Sequence, residues 1–261
     1  MSDERMSPEE AARLLPAGAA ISWGLVKPPQ RGPKREMSID LIVRTAIGIA
    51  DKEGLAAVSM NRIASELGFT AMSLYRYIPG KEDLLYLMQD AAVAVPIPPE
   101  RPPGEWRESM RDVASAMMRV FAEHPWFLDL PISGAPLAPN HLRIVDLALR
   151  ALRGMPLDDY EKLSFVLLIS NYARAAGMIA RDMKRAIQSG GSEETFSGLA
   201  YSSALRALVK PDRYPDLYPL VMSGAYTSEN ESENSVGNDF EFGLERILDG
   251  MEQYLERKRN R

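Results

Sequence analysis

Two short helical segments joined by a glycine turn, between Ser59 and Lys81, constrain the fold of this chain most strongly. Ser59 is a good N-cap for the first segment, whose apolar residues recur at helical spacing on one face. Gly68 ends that segment, because glycine accepts the left-handed backbone that often follows a helix. Thr70 caps the second segment. The pattern therefore predicts a helix-turn-helix unit.

The second of these segments separates inward from outward side chains. The inward positions are Ala71, Leu74 and Ile78, and the outward positions are Met72, Ser73, Arg76 and Tyr77. A short helix that presents Ser, Arg and Tyr to solvent, braced by a second helix, fits the major groove of DNA. Arg76 is best suited to a bidentate contact with guanine or with a phosphate.

The charge distribution agrees with a nucleic-acid partner, although the chain as a whole carries a net charge of −5. Residues 27–81 have a net charge of +4, whereas residues 82–261 have −7 and residues 1–26 have −2. Phosphates attract the basic segment and repel the acidic remainder, which should orient the basic end toward DNA.

The composition excludes several kinds of site. The 261 residues include no cysteine, so disulfides, zinc thiolates and a cysteine nucleophile are absent. The two histidines lack metal-ligand spacing, and no glycine-rich phosphate loop is present. We expect no metal, no cofactor and no enzymatic activity. Charges break the apolar runs well short of the roughly 18 residues of a membrane span, and the polar N-terminus is unlike a secretory signal, which favours the cytoplasm.

The sequence predicts an all-α fold, because no strand-like alternation is present. It also predicts three regions. Residues 1–36 form a basic, proline-rich N-terminal arm, 37–95 the three-helix DNA-binding domain, and 96–261 a larger helical domain for ligand binding and dimerisation. Five prolines between residues 96 and 103 mark the boundary. The other helices are predicted at residues 8–15, 38–53, 81–95, 106–123, 140–153, 158–186, 194–209, 214–222 and 240–259, and residues 227–238 are predicted to be mobile.

The N-terminal arm has two readings. Lys34 and Arg35 lie in a stretch of positive charge that could touch phosphates or the minor groove, and the alternative is a solvated terminus. Trp23 is a large apolar group in an otherwise loose segment. We expect it to dock on the protein body rather than on DNA.

The stretch from Ser38 to Leu87 resembles the DNA-binding domain of the TetR (tetracycline repressor) family. The matching positions are Ala46, Ala50, Gly54-Leu55, Val58-Ser59, Ile63-Ala64, Leu67-Gly68 and the string LYRYIPGKEDLL from Leu74 to Leu85. The string HPWFLDLP and the long helix from Asp158 are similar to the tetracycline-repressor type of C-terminal domain.

The resemblance implies a role for each matching residue on DNA. Residues 70–73, which are Thr70, Ala71, Met72 and Ser73, would approach base edges or the nearest phosphates, and the hydroxyls of Tyr75 and Tyr77 would hold the DNA backbone. Lys81 would bind phosphate through its ammonium and the helix-terminus amides. Ser59 and Arg62 would meet the backbone from the preceding helix.

One recognition helix reads only a few base pairs, so specificity requires a twofold dimer and a near-palindromic operator. The helices at 158–186 and 239–258 are candidates for a four-helix dimer interface, or alternatively for intramolecular core. In the family, a small molecule in the C-terminal domain releases DNA. Candidate pocket residues are Met117, Phe121, Trp126, Phe127, Tyr172 and Met178, although such aromatic and Met positions are more often core.

Two other classes of function compete with a ligand-released repressor. An enzyme has little support, because Asp158, Asp159 and Glu161 open a helix, where its dipole favours acids without any carboxylate site. A helical ligand-binding or scaffold protein without specific DNA binding is the third reading. Arg76 and Lys81 argue against it.

Overall fold

The structure is a computed structural model that describes residues 7–26, 37–102, 104–132, 134, 136–188, 199–227 and 236–260. These residues contain twelve α-helices and no strand, which confirms the all-α prediction. The helices are α1 (Pro8–Leu14), α2 (Ala17–Ser22), α3 (Ile39–Glu53), α4 (Met60–Leu67), α5 (Ala71–Tyr75), α6 (Lys81–Ala92), α7 (Trp106–Glu123), α8 (Pro139–Ala151), α9 (Asp159–Gln188), α10 (Leu199–Leu208), α11 (Tyr218–Met222) and α12 (Asp239–Arg259).

The chain forms two compact units. The first comprises Met1–Arg174 and Leu255–Arg261, and the second comprises Ala175–Tyr254. The division at residue 95, between a DNA-binding and a C-terminal domain, stays a prediction.

Helices α3 to α6 form the head of the first unit, and their ends follow the sequence prediction. The hydroxyls of Ser38, Ser59 and Thr70 accept hydrogen bonds from backbone amides in the first turns of α3, α4 and α5. Gly54 and Gly68 end α3 and α4 with φ of 84° and 72°, values that glycine adopts without strain. The core of the head consists of Ile42, Ala46, Ile63, Leu74, Ile78, Leu84 and Met88, all buried.

The rest of the first unit, which we call the body, packs around α7, α8 and a 3₁₀ helix at Pro125–Asp129. Both α8 and the 3₁₀ helix lie against α7, and α8 also contacts α6. Met110, Trp126 and Leu152 are at most 1% exposed and fill this part of the core. In the second unit, α10 contacts α11, which packs on a 3₁₀ turn at Ala225–Thr227.

Within the predicted arm over residues 1–36, α2 is a helix that the sequence analysis did not predict. Ala17–Ser22 is helical, and its small residues allow it to pack closely on α6. The short helix predicted at 8–15 is confirmed as α1, which has a capping box between Ser7 and Glu10. Trp23 docks on the body as expected, because its indole Nε1 donates to the carbonyl of Leu137 at 2.8 Å.

Several predicted helix ends are also wrong by a few residues. α6 ends at Ala92 rather than at 95, because Pro96 disfavours helical backbone before it. α11 begins at Tyr218 rather than at 214, since Pro215 interrupts the helix and Pro219 fits its first turn. The first residues of the helix predicted at 194–209, and most of the loops predicted at 187–193 and 227–238, lie outside the described residues.

Candidate DNA-binding interface

The helix-turn-helix is built by α4, the turn at Gly68 and α5. The left-handed Gly68 lets the amide of Phe69 donate to the carbonyl of Ala64 at 2.8 Å, which closes the C-terminus of α4. Leu74, in α5, and Ile78, shortly after it, are completely buried. These two side chains fix which face of α5 is turned to solvent.

The outward face of α5 carries side chains suited to a groove. Met72 is 74% exposed and Tyr75 is 45% exposed, while Ala71, Ser73 and Tyr77 are half-buried. The hydroxyls of Thr70 and Ser73 lie 2.9 Å apart and hydrogen-bond to each other. α5 and the residues that flank it therefore bring together seven of the residues predicted to contact DNA, namely Thr70, Ala71, Met72, Ser73, Tyr75, Arg76 and Tyr77.

Two cations flank this face. Arg76 directly follows α5 and Lys81 begins α6, and both are exposed. Neither forms an ion pair with any residue that the structure describes. Gly80 precedes Lys81 and provides no side-chain cap, so the amides of the first turn of α6 can bind an anion together with the ammonium of Lys81.

The two predicted contacts on α4 are engaged within the protein. The Ser59 hydroxyl accepts the amide of Arg62 at 3.1 Å, and its O–H can rotate to donate to another group. The Arg62 guanidinium lies 3.0 Å from Glu53 Oε1 and 3.7 Å from Glu66 Oε2. A phosphate must compete with these carboxylates for Arg62. Lys34 and Arg35 lie outside the described residues.

The head is attached to the body by two carboxylates that the sequence analysis did not single out. Asp51, in the last turn of α3, accepts the indole N–H of Trp126 at 2.7 Å and faces His124 Nδ1 at 2.9 Å. Asp90 on α6 is 5% exposed and accepts the backbone amides of Asn140 and His141 at 2.8 and 3.2 Å. The sequence held a signal for Asp90, an acid on the buried face of α6, but none for Asp51, which is exposed.

These contacts give a structural role to both histidines and to Trp126, one of the predicted pocket residues. Trp126 is 1% exposed and its only polar atom is satisfied by Asp51, and the ring of Phe127 stacks on His141 at 5.8 Å. On α6, burial raises the pKa of Tyr86, and the nearby charge of Asp90 raises it further. No group of acidic and histidine side chains in the described parts of the chain could hold a metal ion.

The predicted pocket residues do not form one described cavity. Phe121, Trp126 and Phe127 are buried, and the rings of Phe121 and Phe127 lie 5.8 Å apart. Met117 and Tyr172 are half-buried in the first unit, whereas Met178 lies in the second unit and is 39% exposed. The pocket stays a prediction.

Both the N-terminal and the C-terminal part of the chain match known protein families. Residues 42–86 match the family described as bacterial regulatory proteins, tetR family, and residues 98–255 match the tetracyclin repressor-like C-terminal domain. The chain is 35% identical to the HTH-type transcriptional repressor DrrR1 of Streptomyces coeruleorubidus, over 99% of this chain and 92% of that protein. It is 28% identical to the HTH-type transcriptional repressor Rv1353c of Mycobacterium tuberculosis, over 87% of this chain and 85% of that protein.

Solved structures agree with this assignment. The TetR family protein ActR of Streptomyces coelicolor, in complex with actinorhodin, is 29% identical and aligns with a TM-score of 0.68, covering 83% of this chain and 96% of ActR. The same protein without ligand aligns with a TM-score of 0.64. With its helix-turn-helix, its helical C-terminal region and a relative aligned over nearly its full length, this chain belongs to the TetR family of DNA-binding transcriptional regulators.

Proposed function

We propose that this protein is a homodimeric repressor that binds a near-palindromic operator and leaves it when a small molecule binds the C-terminal domain. The observation that carries the proposal is the exposed face of α5, flanked by the exposed cations Arg76 and Lys81. TetR family regulators generally act by binding DNA without catalysis, and we extend this to the present chain, in the cytoplasm.

The length of α5 argues for two copies of the head. Ala71–Tyr75 spans little more than one turn, so one copy reaches the edges of only a few base pairs. A twofold dimer places two such helices in successive major grooves, about 34–36 Å apart, and this geometry requires a near-palindrome.

The apolar face of α9 supports dimerisation. Tyr160 is 86% exposed, and Leu163 and Leu167, which follow it at helical spacing on the same face, are each more than half exposed. Exposed apolar side chains that run along a single helix mark an interaction surface. On α12, Phe242 and Tyr254 are also exposed, at 45% and 41%, while Leu248 and Met251 are buried. We propose that a second copy of this chain covers this face of α9 and that α12 also takes part in dimerisation.

The prediction that every apolar run falls well short of a membrane span is wrong for Asp159–Ile187, which is long and apolar enough to cross a membrane, with a mean hydropathy of 1.4 in its most apolar window. A feature in the middle of the helix favours the dimer. The Arg174 guanidinium donates to the carbonyls of Leu128 and Leu130, at 3.3 and 2.8 Å. A helix fastened to the body of the first unit through a half-buried charge is a component of a folded domain rather than a membrane span.

The effector is proposed to be an organic small molecule that binds in the body. ActR, which was solved with actinorhodin, supports this choice. Such a molecule releases DNA only if it binds the released conformation more tightly than the DNA-bound one.

Selection of bound duplexes from a random pool tests the proposal. We expect an enriched near-palindrome and a dimer in sedimentation at micromolar concentration. A pool without enrichment at low salt would support a helical ligand-binding protein instead. Enrichment of a single half-site by a monomer would overturn the dimer while leaving the regulator intact.

A further inference from the structure

The short helix α2 lies against α6, the helix that begins at the proposed phosphate-binding end of the head. Ala19, Ala20 and Ile21 are at most 9% exposed. α2 is therefore docked by its apolar residues, and its place is at the head rather than in a free arm.

Gly18 makes this close approach possible. Its amide donates to Asp83 Oδ1 at 2.7 Å. A Cβ at this position would lie 3.1 Å from both the Cα and the carbonyl oxygen of Asp83 and 3.2 Å from the Cβ of Tyr86. Backbone atoms of α6 cannot yield as a flexible side chain can, so any larger residue must displace one of the two helices.

α6 caps two other helices with carboxylates that are seven residues, or two turns, apart. α2 follows Pro16 and α8 follows Ala138, and neither residue has a side chain that can cap a helix. Asp83 supplies the missing acceptor to α2, and Asp90 supplies it to α8. The start of α6 therefore holds α2, and its end holds α8.

Trp23, directly after α2, provides a second connection between α6 and the body. Its indole donates to the carbonyl of Leu137, which immediately precedes the cap position Ala138 of α8. Residues 137–141 of the body are thus connected to α6 by two routes. One is direct, through Asp90, and the other passes through Trp23, α2 and Asp83.

We infer that α2 is a positioning element that sets the N-terminal end of α6, with Lys81, relative to residues 137–141 of the body. Asp83 lies two residues after Lys81, and its second carboxylate oxygen lies beside Gly80. By holding Asp83 against α2, the Gly18 amide fixes a negative charge that would otherwise be free to approach the DNA phosphate. The inference rests on the proposed DNA binding.

Gly18→Ala is the first test, and Gly48→Ala is its control. Gly48 lies within α3 with no atom within 4 Å of an added Cβ. Hydrogen exchange of the full-length protein without DNA should be faster in the first turns of α6 for Gly18→Ala and unchanged there for Gly48→Ala. Affinity for the selected operator should fall about fivefold for Gly18→Ala alone, the loss expected for one hydrogen bond.

Trp23→Phe is the second test, because it removes the indole N–H and keeps an aromatic ring. Trp106→Phe is the matched control, since the indole of Trp106 makes no hydrogen bond to any residue described. Trp23→Phe should weaken operator binding at temperatures where the protein is fully folded. The effect should disappear when Gly18→Ala is already present, because both changes act through α2.

Three results separate the possibilities. Unchanged exchange in α6 for both variants would overturn the inference, and so would faster exchange with unchanged operator affinity, which indicates a purely structural helix. If the wild-type protein selects no operator, the proposed function fails instead, and the exchange measurement still decides whether α2 holds α6.

Discussion

The exposed faces of α5 and α9 differ in chemistry, and the difference shows how each is used. The α5 face carries the exposed cation Arg76 beside Met72 and Tyr75, and a cation binds phosphate in a manner that salt weakens. α9 presents Leu, Ile, Met and Tyr side chains, which favour permanent burial. The first surface suits a partner that must leave, and the second suits a partner that stays.

A charge on α9 should give the largest effect. Leu167 is 59% exposed, and Leu167→Glu places a carboxylate on the proposed dimer surface of both copies. Burial of an unpaired charge should weaken dimerisation by at least about 3 kcal/mol, roughly 100-fold, and operator binding with it. Analytical ultracentrifugation over a concentration series measures the change.

Leu14→Glu is the control for this prediction, because Leu14 is 72% exposed and belongs to a different helix, α1. It should leave the dimer unchanged. A Leu167→Glu protein that remains dimeric would show that α9 is covered by something other than a second copy.

Truncation of Arg76 should have the next largest effect. Arg76→Ala removes the exposed guanidinium beside α5, and operator affinity should fall by about 1–3 kcal/mol with relaxed base preference. Titration of operator duplexes at fixed salt measures both. Arg143→Ala removes an exposed arginine from α8 and should change neither, whereas equal losses in the two variants would indicate a general charge effect.

Lys81→Ala should weaken all duplexes to a similar extent. Its ammonium is proposed to contact a phosphate, so affinity should fall by about 1 kcal/mol and the slope of log affinity against log salt should decrease by about 1. A change in base preference, with an unchanged salt slope, would assign Lys81 to base reading instead.

The smallest effect should come from releasing Arg62. Glu53→Gln removes the carboxylate charge 3.0 Å from the Arg62 guanidinium, and freeing that group should strengthen operator binding by up to about 1 kcal/mol. Glu53→Gln in an Arg62→Ala background is the control. If the gain persists there, it does not come from Arg62.

The parts of the fold that were predicted correctly are those whose structure depends on interactions between residues close in the chain. The caps at Ser38, Ser59 and Thr70 and the stop at Gly68 each depend on bonds that span three to five residues. α2 was missed because its cap, Asp83, lies 65 residues away and its apolar residues form no periodic stripe. Distant partners decide such segments, and a single sequence does not reveal them.

The candidate site shows the same division. The structure buries Leu74 and Ile78 and exposes Met72 and Arg76 as expected, whereas Ala71, Ser73 and Tyr77 are half-buried and Tyr75 is exposed. The pairing of Arg62 with Glu53 across the turn between α3 and α4 was not predicted. Neither was the bond from Asp51 to Trp126, which gives a structural reason for an aromatic residue that had suggested a ligand pocket.

The alternation on α5 has an evolutionary consequence. Leu74 and Ile78 hold the helix on the head, whereas Met72, Tyr75 and Arg76 face solvent and contribute little to the core. Substitutions at the solvent-facing positions leave the free energy of unfolding nearly unchanged. Duplicated copies of such a gene could therefore diverge in operator preference one residue at a time, without passing through an unstable intermediate.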